Sequence, residues 1–175
     1  MVLPETRRNF LYSAAALGSA VAVSCKGGRT ASPWRFFTVA EAETVDAVCE
    51  QLIPADRDPG AKEARVVNYI DIQLSRTLRR HRQAYREGVA AIGRTSRTKF
   101  GRPFVELTPE QQVEALKAVE ESSKAFFELL LAHTRQGFYG DPRHGGNRNR
   151  VSWKMVGLPF PPVRGREHYD GTRTG

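Results

Sequence analysis

The sequence predicts an all-α protein, a small helical bundle followed by a long irregular tail rich in glycine and proline. Apolar residues recur at intervals of three and four along several segments, and two of these segments open with a capping box. No segment shows the apolar–polar alternation of a half-buried strand. The length of 175 residues suits one domain, and a content of 40% hydrophobic and 26% charged residues is typical of a globular protein.

The predicted helices follow from their start signals and apolar stripes. Thr38 and Glu41 have the spacing of one capping box, and Thr108 and Gln111 have that of a second. The stripes are Val45, Val48, Cys49 and Leu52; Val67, Ile70, Leu74 and Leu78; His81, Tyr85, Val89 and Ile92; and Val113, Leu116 and Val119. We expect breaks at 53–54, 100–103 and 122–123, where proline, glycine or paired serines interrupt the pattern. Residues 125–133 are apolar on more than one face, which indicates a central helix.

The chain changes character at Gly137. Residues 137–175 contain eight glycines and four prolines, so we expect a helical domain over 35–136 and an extended tail over 137–175. Tyr139 and Trp153 lie in this tail, and large aromatic side chains are uncommon in a solvated, disordered tail. The tail is therefore predicted either to wrap this domain or to bind a partner.

The N-terminal residues look like an export signal of the twin-arginine type. Arg7 and Arg8 precede Phe10 and Leu11, and the fifteen residues from Phe10 to Ser24 carry no charge. Such a run is shorter than the roughly 20 residues that span a bilayer as a helix. We expect residues 1–25 to be a signal peptide read by the twin-arginine translocase, which leads to a periplasmic location at the face of the inner membrane.

Cys25 follows Ala22-Val23-Ser24, which resembles the cleavage box of a lipoprotein, although such boxes usually have leucine where Ala22 stands. Acylation of Cys25 and plain cleavage both remain open. Residues 26–33 are small and polar, so we expect a linker over 26–34. An acylated Cys25 supports an alternative function, a lipid-anchored binding module for an anionic ligand.

The chain is basic, with 27 lysines and arginines against 19 acids and a net charge of +8. Eight arginines and Lys99 lie between Arg76 and Arg102, where Glu87 is the only acid. A basic face of this kind can bind phosphates, but an exported protein does not normally meet nucleic acid. We therefore expect a solvated face, or one complementary to an acidic partner, and no nucleic-acid binding.

The segment from Asp141 to Arg150 is the most distinctive candidate site. Its arginines and glycines could form an anion site, Asp141 and His144 could be two metal ligands, or the segment could be a tight loop that also docks on a partner. The tight loop is the favoured interpretation. We expect His81, His133, His144 and His168 to be structural. We expect Cys49 to be a small buried hydrophobe, with a reactive thiol or an intermolecular disulfide as the alternatives. The sequence has no nucleotide-binding, haem or serine-hydrolase motif, so we predict no catalytic residue, cofactor or metal in this chain.

Several segments together resemble the gluconate 2-dehydrogenase subunit 3 family. They are the twin-arginine signal, residues 37–54, 58–64 and 67–71, and the blocks Gly137-Phe-Tyr-Gly-Asp-Pro142, Gly145-Gly-Asn147, Trp153 and Gly157-Leu-Pro159. The resemblance covers most of residues 35–162. The order of these motifs carries the likeness, since each motif alone is weak.

The resemblance implies a non-catalytic small subunit of an exported, flavin-dependent dehydrogenase that oxidises a sugar or sugar acid. FAD would then sit in the large flavoprotein subunit, which often passes electrons to a cytochrome c subunit. The small subunit would supply the export signal and act as a chaperone and stabiliser. On this interpretation the residues expected to contact the partner are Cys49, Tyr139, Asp141, Pro142, Gly145, Gly146, Asn147 and Trp153.

Overall fold

A computed structural model describes residues 33–158 of the chain. The predicted signal residues Arg7, Arg8, Phe10 and Leu11, as well as Cys25, lie outside the described residues. The described helices are α1 (Val39–Leu52), α2 (Val66–Ser75), α3 (Arg82–Phe100), α4 (Pro109–Ser122), α5 (Lys124–Tyr139) and α6 (Val151–Met155), with short 3-10 turns between them. No strand occurs over residues 33–158, so the predicted all-α fold class is confirmed.

Both predicted capping boxes are present. At the start of α1 the backbone N–H of Thr38 donates to Glu41 at 2.8 Å, and Thr38 Oγ1 accepts from the Glu41 N–H at 3.3 Å. Thr108 and Gln111 repeat this exchange at the start of α4. Each box satisfies two backbone donors that a helix N-terminus otherwise leaves without partners, which fixes where the helix begins.

The second and third helices form where the apolar stripes predict them, but their ends differ from the predicted ends. Helix α2 ends at Ser75, so Leu78, predicted on its stripe, lies in the turn before Arg79–His81. The backbone N–H of Leu78 donates to Gln73 O, which closes that turn. Helix α3 runs to Phe100 and ends at Gly101 in the left-handed conformation (φ 71°), within the predicted break at 100–103.

Helix α5 begins after the predicted break at Ser123 and continues to Tyr139, three residues beyond the expected boundary at 136. Gly137 allows this because its missing side chain leaves room for α2: a Cβ there would lie 3.0 Å from both Val66 and Tyr69. Phe138 is then 1% exposed, and its burial stabilises the last turn. The chain from Gly140 to Val156 contains two 3-10 turns and α6, which corrects the expectation of extended chain there.

One apolar core joins α1 to α5. Its largest fully buried side chains include Tyr85 of α3, Phe104 of the α3–α4 connection, and Phe138 and Leu130 of α5. Helix α5 contacts α2, α3 and α4 as well as α1, as expected of the central helix. No helix in the described part of the chain is both long and apolar enough to cross a bilayer.

Candidate partner-binding surface

The C-terminal segment, residues 140–158, folds onto α2 and α5 around one buried side chain. Asn147 is 0% exposed; its amide donates to Gly140 O at 2.9 Å and accepts from the Ser152 N–H at 3.1 Å. Its backbone is left-handed (φ 44°), a conformation that asparagine tolerates better than most residues. Asn147 therefore joins Gly140, at the start of the segment, to Ser152 of α6.

Further contacts hold the same segment to the bundle. Asn68 of α2 donates to Gly145 O at 2.6 Å, and the Arg148 N–H donates to Ala64 O at 3.1 Å. Gly146 packs directly on α5, where a Cβ would lie 2.1 Å from Gly137 O, so no larger residue fits. These contacts make residues 140–158 an integral part of the folded domain.

Asp141 and its neighbours have the geometry of a tight loop. The Asp141 carboxylate accepts from the Arg143 N–H at 3.0 Å and pairs with Arg143 Nε at 2.7 Å, while Pro142 opens the 3-10 turn. Because Asp141 already neutralises Arg143, the proposed anion site loses one of its three cations. Over residues 33–158 no three His, Cys, Asp or Glu side chains are grouped to hold a metal ion. The contacts therefore match the tight-loop interpretation.

The end of α5 and the folded segment together present an apolar surface, here termed the C-terminal patch and made of Tyr139, Trp153, Val156 and Leu158. Tyr139 is 48%, Val156 52% and Leu158 49% exposed, and Trp153 is half-buried. Trp153 Nε1 donates to Tyr139 O at 2.8 Å, and the Leu158 N–H donates to Trp153 O at 2.8 Å, so the patch residues lie together. Clustered exposed aromatic and aliphatic groups of this kind are typical of a protein–protein interface.

The family model for gluconate 2-dehydrogenase subunit 3 matches residues 39–159, from the first residue of α1 to just beyond the C-terminal patch. The chain belongs to this family. No curated protein and no solved structure matches it. The match shows that the C-terminal segment is part of the subunit 3 domain, together with the five longer helices.

The eight residues predicted to contact a partner divide into two groups in this subunit 3 chain. Tyr139 and Trp153 lie on the C-terminal patch, and Asp141, Pro142 and Gly145 are half-buried beside it. Cys49, Gly146 and Asn147 lie in the interior. Cys49, Gly146 and Asn147 contribute to the packing of the domain. A partner cannot contact them while the domain stays folded.

Cys49 lies in the interior and not on a surface that a partner could contact. Its side chain is 0% exposed, and its Sγ lies 3.3 Å from Thr134 Oγ1 in α5. Burial raises the pKa of the Cys49 thiol to about 12, so the thiol stays protonated and unreactive. The expected small buried hydrophobe is what the structure contains.

The structure contains two buried polar centres that the sequence pattern does not predict. The Asp71 carboxylate, 2% exposed, accepts from the backbone N–H groups of Arg35 at 2.8 Å, Phe36 at 2.9 Å and Phe37 at 3.0 Å. The second centre is Tyr85, whose hydroxyl lies 2.9 Å from His133 Nδ1. One signal existed: Asp71 sits on the apolar stripe of α2 between Ile70 and Leu74, where an acid needs partners.

Arg86 completes the attachment of residues 33–38 to the bundle. Its guanidinium pairs with Glu41, donates to Phe36 O at 2.7 Å and lies 4.2 Å from the centre of the Phe36 ring. Burial alone would raise the pKa of Glu41, but the hydrogen bonds from Arg86 and Thr38 outweigh it and lower that pKa. The Glu41 carboxylate is therefore already paired with groups of this chain.

Proposed function

We propose that this chain is the non-catalytic small subunit of an exported, flavin-dependent dehydrogenase and that it stabilises the large flavoprotein subunit. Family membership associates the chain with a gluconate 2-dehydrogenase complex. The observation that carries the proposal is the C-terminal patch, where exposed Tyr139, Val156 and Leu158 lie with half-buried Trp153 at the end of α5 and on the segment that Asn147 holds in place. A rigid apolar surface loses little conformational entropy on binding, so it favours a stable partner.

The chain's own reactive groups support an accessory role. Cys49 and His133 are buried in the bundle, and burial raises the pKa of the Cys49 thiol and lowers the pKa of the His133 imidazole. Neither group can meet a substrate at the surface. In this proposal FAD and the sugar or sugar acid bind to the large subunit, and electrons leave through that subunit to an acceptor such as a cytochrome c.

Export is the second half of the proposal. The Arg7-Arg8 pair would direct the folded heterodimer to the twin-arginine translocase, so that one signal serves both chains. Acylation at Cys25 would then tether the complex to the membrane; without acylation the association is indirect. Replacing Arg7 and Arg8 by lysine tests this step: both subunits should remain in the cytoplasm together, and a periplasmic large subunit would contradict it.

Affinity purification from the native host tests the central claim. A larger chain should co-purify with the C-terminally tagged chain, and the purified complex should show the absorbance spectrum of a flavin. The double variant Tyr139→Ser/Leu158→Ser should recover at least about tenfold less flavoprotein, because each exposed anchor contributes on the order of 1 kcal/mol or more to binding. The control Val105→Ser/Val113→Ser alters exposed valines on other elements and should bind as the native chain does.

Two results would overturn the proposal. A colourless, solitary chain would exclude the accessory role, and an acylated Cys25 in that chain would favour the lipid-anchored binding module. Equal recovery of the flavoprotein by the native chain and the Tyr139/Leu158 variant would show that the C-terminal patch is not the interface.

A further inference from the structure

A groove between α1 and α3, here termed the arginine groove, lies on elements separate from the C-terminal patch. It has a volume of about 350 Å³ and is lined on the α3 side by Ala90, Gly93, Arg94 and Arg97. Its α1 side includes Ala40 and Thr44. Small residues on both helices keep it open: a Cβ on Gly93 would meet only the end of Arg97, at 3.2 Å.

The groove carries a net positive charge. Glu41 is the only acid that lines it, and Arg86 and Thr38 already bind that carboxylate. Arg94 makes no hydrogen bond or ion pair with any residue in the described part of the chain, and Arg97 makes one long bond to Gly93 O at 3.4 Å. Two exposed guanidinium groups one helical turn apart are therefore available to an anionic ligand.

The kind of basic residue and the shape of the groove indicate the kind of ligand. Eight of the nine basic residues between Arg76 and Arg102 are arginine, whose planar fork binds carboxylates in two-point contacts and is enriched at protein interfaces. The groove is concave and partly apolar, since the buried Val89 and Phe104 are among the residues that line it. A flat membrane surface cannot fill such a groove, whereas one protein segment can.

We propose that the arginine groove binds an acidic, partly apolar segment of the large subunit, with a carboxylate of that segment held by Arg94 and Arg97. The proposal rests on the proposed function, since it assigns a second contact area for the same partner. The C-terminal patch supplies apolar contact, and the arginine groove supplies charge complementarity that fixes the orientation of the two subunits.

Charge reversal in the tagged full-length chain tests the assignment, with the co-purified flavoprotein as the probe. Arg94→Glu/Arg97→Glu should lower its recovery at least tenfold, and Gly93→Leu, which fills the groove without changing charge, should also lower it. Arg57→Glu/Arg76→Glu makes the same charge change at exposed positions outside the groove and should stay within twofold of the native chain. Far-ultraviolet circular dichroism checks that each variant is folded.

A zero-length cross-link identifies the chemistry of the ligand. A carbodiimide activates a carboxylate, which then forms an amide with a neighbouring lysine while the carbodiimide leaves as a urea. In the purified complex the R97K variant should cross-link to an aspartate or glutamate of the large subunit, and the R76K variant should not. Mass spectrometry of the linked peptides should find apolar residues beside that acid.

The outcomes separate this inference from the proposed function. If the native chain recovers no flavoprotein, both fail. If the native chain and Arg94→Glu/Arg97→Glu recover it equally, or R97K forms no cross-link to it, the arginine groove is not an interface while the proposed function stands. Vesicles of phosphatidylglycerol form a third arm: binding that this charge reversal abolishes, with flavoprotein recovery intact, would assign the groove to lipid and overturn the inference.

Discussion

The hydroxyl of Tyr85 lies 2.9 Å from Nδ1 of His133, and the two rings are nearly parallel, at an interplanar angle of 3°. Burial raises the pKa of Tyr85 well above its ordinary value, so its hydroxyl stays protonated and shares a hydrogen bond with the imidazole, in a direction set by the His133 tautomer. On the other side the ring of His81 packs against His133 with centroids 5.4 Å apart, and Arg80 donates to His81 Nε2 at 3.0 Å. Burial, then His81 and Arg80, lower the pKa of His133 to about 4.

This arrangement predicts a loss of stability in mild acid. The unfolded chain binds a proton at His133 near pH 6.5, whereas the folded chain binds it only near pH 4. The contribution of His133 to folding is therefore complete above pH 6.5 and falls as the pH drops toward 4. Denaturant melts at several pH values should show a slope of up to one extra proton taken up on unfolding in this window.

The variant His133→Gln removes this titration and should flatten the pH dependence of the unfolding free energy between pH 6.5 and 4. His144 is exposed, so His144→Gln is the matched control and should leave the slope as in the native chain. An unchanged slope in His133→Gln would contradict the proposed cause.

Two glycines of α3 should respond in opposite ways to alanine. A Cβ on Gly88 would lie 2.4 Å from the ring of Phe126, so Gly88→Ala forces the ring to move and should destabilise the fold by about 1–3 kcal/mol. Gly93 has open space apart from the end of Arg97, so Gly93→Ala should stabilise α3 by up to about 1 kcal/mol. Urea melts of the two variants measure both effects, and the same sign for both would contradict this account.

Local signals predicted most of the helices, and long-range contacts account for most of what was missed. Thr38 and Glu41 are three residues apart, so the start of α1 could be predicted from residues close together in the sequence. Tyr85 and His133 are 48 residues apart, and no local pattern pairs them. The end of α5 lies beyond the predicted boundary for the same reason, since the close packing of Gly137 on Val66 and Tyr69 of α2 joins residues far apart in the sequence.

The partner-contact residues were predicted from a motif, and a motif does not separate structural from surface roles. Asn147 and Tyr139 belong to neighbouring blocks of the same pattern, yet one is 0% and the other 48% exposed. The sign of the charge between Arg76 and Arg102 was evident from the sequence. The groove beside Arg94 was not, because it requires α1 and α3 to be placed side by side.

Asp71 should be a polar residue on which the stability of the bundle depends. Its carboxylate is the acceptor for three consecutive backbone N–H groups, so Asp71→Asn loses the charge and turns one side of the acceptor into a donor. The remaining amide oxygen can still accept from two of the three N–H groups, and the third then faces an N–H₂ donor. One unsatisfied donor costs about 1–3 kcal/mol, so we expect a loss of about that size. Thermal melts measure it; Asp58→Asn, in an exposed loop, is the control. A loss below about 1 kcal/mol would show that residues 35–37 find other acceptors.

The thiol of Cys49 should be unreactive in the folded chain. It is fully buried, and burial raises its pKa to about 12, so very little thiolate exists at pH 8. Iodoacetamide should therefore modify Cys49 only after denaturant is added, as mass spectrometry of the tryptic peptides would show. Rapid labelling under native conditions would mean that α1 opens away from α5 without global unfolding.

Asn147 should control the order of the whole C-terminal segment. Asn147→Ala removes the bonds to Gly140 O and the Ser152 N–H and places alanine at a positive φ, so a cost of about 2–4 kcal/mol is expected. Asn149 also has a positive φ (55°) but is exposed, so Asn149→Ala isolates the backbone cost, about 1 kcal/mol. Hydrogen exchange should speed up across residues 145–158 in Asn147→Ala while α3 stays protected. Because the C-terminal patch rests on this segment, the same variant should recover less flavoprotein than Asn149→Ala; equal recovery would show that the patch binds without being held in place beforehand.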